Sequence, residues 1–227
     1  MSFDPFNELS DVDNERNMFC YDYIDDYCDT VDMAKRTLSN CKYYEPDTLP
    51  YNKFRGTSFY FNNIDGFQSN FTEFRNQCLN LDMSYDFYCF NETNVKADSL
   101  HDFEIDGYNS EFYYSIDKKS KGSGLAIYYR NNLKFTVDKS LTLRNKHFES
   151  LGGKLKCEFG YMYVIVIYRF NYNTNIDTFF TTLSSLLERV SEQPCIVLGD
   201  FNFDTLKCDA VSHVQRYIDS FMCTFDK

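Results

Sequence analysis

Between residues 57 and 222 the apolar positions switch between two periods. Ser58–Asn63 (SFYFNN) and Asp86–Asn91 (DFYCFN) are short aromatic runs that end in polar residues, and both read as strands. Between them Phe67, Phe71, Phe74, Cys78 and Leu81 recur at spacings of 4, 3, 4 and 3, which predicts an amphipathic helix. Gly124–Tyr129 (GLAIYY) and Leu133–Val137 read as a hairpin turning at Asn131-Asn132. Tyr161–Tyr168 (YMYVIVIY) is continuous, β-branched and aromatic, as expected of a buried central strand. Ile176, Phe179, Leu183, Leu186 and Val190 predict a second helix. Pro194–Leu198 (PCIVL) predicts a short strand running into Gly199-Asp200-Phe201-Asn202. Val211, Val214, Tyr217, Ile218 and Phe221 predict a third helix. Strand–helix–strand, further strands, then helix–strand–helix is the pattern of a layered α/β domain.

Residues 1–50 hold no sustained period. They carry 12 acidic and 4 basic residues, against 22 and 19 in residues 51–227, so most of the net charge of −11 sits at the N-terminus. The expected division is an acidic, partly ordered leader over 1–50, punctuated by Pro46 and Pro50, and one domain over 51–227. The near-neutral domain excludes a broadly basic surface that gathers phosphates from a distance.

No apolar run reaches the roughly 18–20 residues of a membrane helix, and the acidic start MSFDPFNELS is unlike a signal peptide. The chain is therefore expected inside the cell and away from membranes. Its nine cysteines are then reduced thiols, and no C-x-x-C pair suggests zinc.

Polar groups follow several of the buried runs: Asn63, Glu92, Tyr168, and the pair Asp200 and Asn202. In open α/β sheets the carboxyl ends of strands are where ligands bind. Gly199 permits a close backbone approach there, and residues 200 and 202 of an extended chain point the same way. Carboxylate, carboxamide and phenol groups gathered at one lip suit a hard divalent cation beside a phosphate, because Mg²⁺ takes oxygen ligands and is held by one or two carboxylates plus substrate phosphates. Each group alone has a plainer reading, as a turn former or a core-edge phenol. Lys121–Gly124 (KGSG) reads as a simple turn, since no Lys-Ser/Thr follows it to make a nucleotide cradle.

The stretches Phe61–Phe67 (FNNIDGF), Phe87–Thr93 (FYCFNET), Ile105–Tyr108 (IDGY), Lys121–Tyr128 (KGSGLAIY), Val164–Phe170 (VIVIYRF) and Ile196–Asn202 (IVLGDFN) together resemble the endonuclease/exonuclease/phosphatase, or deoxyribonuclease-I-like, superfamily. Within it the sequence looks most like the endonuclease domain of non-LTR (LINE-type) retrotransposons. The resemblance implies a four-layer α/β sandwich and Mg²⁺- (or Mn²⁺-) dependent phosphodiester cleavage. It implies that Glu92 is the principal metal ligand and that Asn63 helps hold the metal. Tyr168 would contact the scissile phosphate, Asp200 would position or activate the attacking water or help the leaving oxygen, and Asn202 would donate to a phosphate oxygen. It also implies DNA as partner, and a reverse transcriptase domain in a parent polyprotein.

The family completes its site with a further Asp and a terminal Ser-Asp-His, which have no counterpart here, so the expected fold lacks its last strands. His101, His147 and His213 read as structural or solvent-facing. Asn94 stands where relatives often carry Trp. Three readings stay open: a DNA-nicking endonuclease that contacts DNA weakly and through its metal, a phosphatase or phosphodiesterase of the same superfamily, and an inactive truncated relic.

Overall fold

A computed structural model of the chain describes residues 56–80, 84–97, 103–114, 122–158, 160–170 and 176–202. By compactness the chain divides into Met1–Leu49 and Pro50–Lys227, and every described residue belongs to the second unit. The expected leader, the third helix over 211–221, and His101 and His213 lie outside the described residues.

The elements run β1 (Phe59–Asn63), α1 (Phe67–Asn80), β2 (Phe87–Asn91), β3 (Tyr108–Tyr113), β4 (Leu125–Arg130), β5 (Phe135–Val137), β6 (Leu143–Arg144), β7 (Phe148–Cys157), β8 (Gly160–Arg169), α2 (Ile176–Leu187) with a 3₁₀ turn over Glu188–Val190, and β9 (Cys195–Asp200). One sheet has the order β1-β2-β4-β3. The other has β5-β7-β8-β9, with β6 also pairing β7. β1 lies parallel to β2 across α1, and β8 lies parallel to β9 across α2, so each sheet contains one βαβ crossover.

The period of two along the strands builds the layers. In β2, Phe87 and Cys89 face the second sheet while Tyr88 and Phe90 face α1. In β8, Val164, Val166 and Tyr168 face the first sheet while Ile165 and Ile167 pack under α2. Phe67, Phe71 and Phe74 close the outer face of the first sheet, and Phe179, Leu183, Leu186 and Leu187 close that of the second. The result is the expected four-layer sandwich, helix–sheet–sheet–helix. No helix among the described residues is long and apolar enough to cross a membrane.

One expectation is overturned. The turn at Asn131-Asn132 does not join a hairpin: β4 pairs β2 and β3 in the first sheet, whereas β5 pairs β7 in the second. Two adjacent apolar runs separated by a polar turn fit a change of sheet as well as a hairpin. Packing decides here, because Phe135 stacks edge-on against Phe87 from the opposite layer.

Candidate active site

Because β1 and β2 run parallel, as do β8 and β9, their carboxyl ends collect polar groups from both sheets in one place. Asn63 is the last residue of β1, and Glu92 follows the last residue of β2. Tyr168 is next to last in β8, and Asp200 ends β9. The Asn63 Nδ2 donates to Glu92 Oε1 at 2.9 Å and to Asp200 Oδ2 at 3.1 Å. A single amide thus ties a carboxylate of one sheet to a carboxylate of the other. The Tyr168 hydroxyl lies beside the Glu92 carboxylate, facing the same point next to Gly122, and feels the charge of Asp200. Burial, then Glu92 and the charge of Asp200, push the phenol well above the ordinary tyrosine range. Tyr168 therefore stays protonated at neutral pH and acts as a hydrogen-bond donor. Asn63, Glu92, Asp200 and Asn202 belong to one hydrogen-bonded network, and the Tyr168 hydroxyl lies beside its Glu92 end.

The turn after β9 differs from the extended pair expected. Asn202 is left-handed, with φ 52°, and its N–H donates to Asp200 Oδ1 at 2.8 Å. The chain curls back as an Asx turn, and Asn202 Nδ2 also donates to the Arg169 carbonyl. Arg169 Nη1 in turn donates to the carbonyls of Phe201 and Asn202 at 3.4 and 3.2 Å. The Arg169 guanidinium lies over the Phe179 ring, beneath α2. Gly199 is required by close approach: a Cβ there would fall 1.9 Å from the Ile167 carbonyl oxygen.

On the other sheet, Glu92 is also left-handed, at φ 52°. Its strand end is fixed from two directions. Gly66 and Phe67, at the start of α1, donate to the Glu92 and Thr93 carbonyls at 2.8 and 2.9 Å, and the Thr93 N–H donates to Gly124 at 3.0 Å. Fully buried Asn91 bridges the sheets by donating to the Ile167 carbonyl at 3.1 Å.

Sequence reasoning missed Asn91, Arg169 and Glu149. Glu149 is a fully buried carboxylate on β7, paired with Tyr168. Burial raises its carboxyl to about 7, with the Gly124 N–H and Arg144 opposing the shift and Glu92 adding to it. No local signal marks Glu149, because the strand that carries it has no readable apolar pattern. His147 is buried at the β6–β7 connection, where its carbonyl accepts from the Phe170 N–H at 3.0 Å.

The donor set at the lip is all oxygen and amide. Among the described residues no group of three or more His, Cys, Asp or Glu side chains forms a metal cage. A site that holds Mg²⁺ by one or two carboxylates, with waters and substrate phosphates as the other ligands, needs no such cage, and Glu92 and Asp200 are the carboxylates that meet at the Asn63 amide.

The sequence profile of the endonuclease/exonuclease/phosphatase family matches residues 63–207, well over half of the chain. The chain belongs to that family. The matched span opens on Asn63 and contains Glu92, Tyr168, Asp200 and Asn202. Members of the superfamily are typically phosphodiester-bond hydrolases and generally use divalent metals.

Among solved structures, the AP endonuclease LMAP from Leishmania major is similar at 14% identity and TM-score 0.54, over 74% of this chain and 66% of that one. The endonuclease domain of TRAS1, a telomere-specific non-LTR retrotransposon, is similar at 9% identity and TM-score 0.50, over 72% and 71%. A mannosyl-6-phosphatase from Bacteroides thetaiotaomicron is similar at 16% identity and TM-score 0.50, over 73% and 71%. These likenesses establish the shared fold, and the chain spans about two thirds of the Leishmania structure. No curated protein matches the chain in sequence.

Proposed function

We propose that this family member is a Mg²⁺-dependent phosphodiesterase that nicks DNA, as the endonuclease domain of a LINE-type element. In that setting the nick primes a reverse transcriptase carried on the same polyprotein. The carrying observation is the Asn63 amide that joins Glu92 and Asp200 across the two sheets. A divalent cation held at these carboxylates would offset their charge and attract a phosphate.

Glu92 and Asn63 hold the metal in this reading, which when bound polarises the phosphodiester and stabilises the leaving oxygen. Tyr168, kept protonated, donates to a non-bridging phosphate oxygen. Asn202 supplies a second donor from its pinned turn. Asp200 orients the attacking water and accepts its proton, a role that needs no histidine. The near-neutral domain favours a second reading for a specific reason: a small phosphate ester needs little counter-charge, whereas a duplex is gathered by many Lys and Arg.

The test is nicking of supercoiled plasmid against hydrolysis of a small phosphate monoester, each with Mg²⁺ and with EDTA. Nicking that requires Mg²⁺ and falls by at least about 100-fold in Glu92→Gln and in Asp200→Ala, with folding intact, is the expected result. Preference for the monoester would select the phosphatase reading. Unchanged nicking in Glu92→Gln would remove Glu92 from the site.

A further inference from the structure

The Gly-Ser-Gly segment before β4 reads in sequence as an ordinary turn, but its surroundings give it another part. Gly122 is left-handed at φ 75°, and a Cβ there would lie 2.9 Å from Glu92 Oε2 and 3.1 Å from the Tyr168 hydroxyl. The turn is therefore a wall of the active site, in contact with both the proposed metal ligand and the phosphate donor. It is stitched to the strand end that carries Glu92. Ser123 accepts from the Asn94 N–H at 2.8 Å, Gly124 accepts from Thr93, and Asn94 Oδ1 accepts from Gly122 and Ser123 at 3.2 and 3.3 Å.

One bond holds this assembly from the opposite sheet. Glu149 pairs with Tyr168 across β7 and β8, so the two side chains share the face that looks toward the first sheet. Its Oε1 accepts the Gly124 N–H at 2.6 Å, and its Oε2 lies 3.7 Å from Arg144 Nη1. Carboxylates are rarely buried fully without a partner or a task, and this one reaches out of its own sheet for a backbone N–H at the site wall.

We propose that Glu149 is a positioning residue that clamps the Gly122–Gly124 turn against Glu92 and Tyr168, and so sets the metal ligand and the phosphate donor at one spacing. This inference rests on the phosphodiesterase reading for its kinetic consequence and on the hydrogen bonds alone for its structural one. The clamp needs an acceptor at Glu149 and no particular charge. Glu149→Gln keeps a carbonyl oxygen in reach of Gly124, whereas Glu149→Leu fills the space without one.

The experiment compares the two variants with the parent full-length chain. Its first readout is hydrogen exchange of the amides in 92–95 and 122–125, measured without metal. Its second is kcat and KM for Mg²⁺-dependent cleavage of bis(p-nitrophenyl) phosphate and of plasmid. Glu149→Gln should keep the parent's exchange protection and lie within about threefold of its kcat. Glu149→Leu should lose protection in both segments by at least about tenfold while β7, β8 and α2 stay protected. Its kcat should fall at least about 30-fold with KM changed less than about threefold.

Loss of protection in Glu149→Gln equal to that in Glu149→Leu, or full protection in Glu149→Leu, would overturn the proposal. Should Glu149→Leu fail to fold, the Gln variant decides alone, because protection lost there refutes an acceptor clamp. If the parent chain cleaves neither substrate, the phosphodiesterase reading fails and the exchange readout still settles whether Glu149 holds the turn.

Discussion

Glu149 is also the residue whose chemistry predicts how stability follows pH. Its carboxyl stands at about 7 in the folded chain against an ordinary 4.5, first because it is buried and despite the Gly124 N–H and Arg144 that favour its charge. A raised carboxyl means that the folded state holds its proton where the unfolded chain has lost it. Its contribution to stability is complete below pH 4.5 and is lost as pH rises through 7. The span corresponds to about 3 kcal/mol. Arg144 and Glu92 are the charged groups that face it. Urea unfolding in EDTA at pH 5 and pH 8 should therefore show the parent losing about 2–3 kcal/mol more than Glu149→Gln over that interval. A difference between the two proteins that is the same at both pH values would show that Glu149 does not titrate in this range.

At the scale of elements, β8 and β9 carry the sharpest requirement. Their parallel register sets Gly199 opposite Ile167 and Asp200 opposite Tyr168. A Cβ on residue 199 would meet backbone at 1.9 Å, and backbone cannot swing aside as a side chain can. Gly199→Ala should cost at least about 2 kcal/mol, which for a chain of this size lowers Tm by about 4–8 °C. It should also separate Tyr168 from Asp200 and depress cleavage more than the stability loss explains. Calorimetry showing an unchanged Tm would mean that the two strands are not packed this closely.

The elements built on strong local periods were legible: α1 and α2 from their 3–4 spacing, and β1, β2, β8 and β9 from aromatic and β-branched runs. The strand over Phe148–Cys157 was not. FESLGGKLKC carries two glycines and two lysines, and Gly152 and Gly153 occur there because Leu141 and Phe135 occupy the space a Cβ would take. That reason lies in tertiary contact and leaves no local trace. The same holds within the site. Asn63, Glu92, Tyr168, Asp200 and Asn202 announce themselves by following apolar runs. Arg169 ends β8 just past Tyr168, and Glu149 sits at the start of β7; both gain their partners only when the second sheet meets its helix or the first sheet.

For the molecule as a whole, charge governs how any nucleic acid is met. The 22 acidic and 19 basic residues of 51–227 leave a balance of −3, and two of the acids, Glu92 and Asp200, converge at the lip of the sandwich. In the proposed reading, those two carboxylates disfavour a phosphate until a divalent cation is bound. A nuclease that relies on six to ten phosphate contacts shows a slope of log K against log salt of about −5 to −9. Here the cation should supply most of the attraction, so the slope should be shallower than about −3. Anisotropy of a labelled duplex in Ca²⁺, chosen to limit turnover, should show binding that weakens by at least about tenfold in EDTA. Asp200→Asn should reduce the dependence on the cation, because one of the two charges that demand it is gone. Tight binding that ignores EDTA and falls steeply with salt would place the DNA on a basic surface elsewhere on the chain. The lip formed by Asn63, Glu92 and Asp200 would then serve a smaller ester.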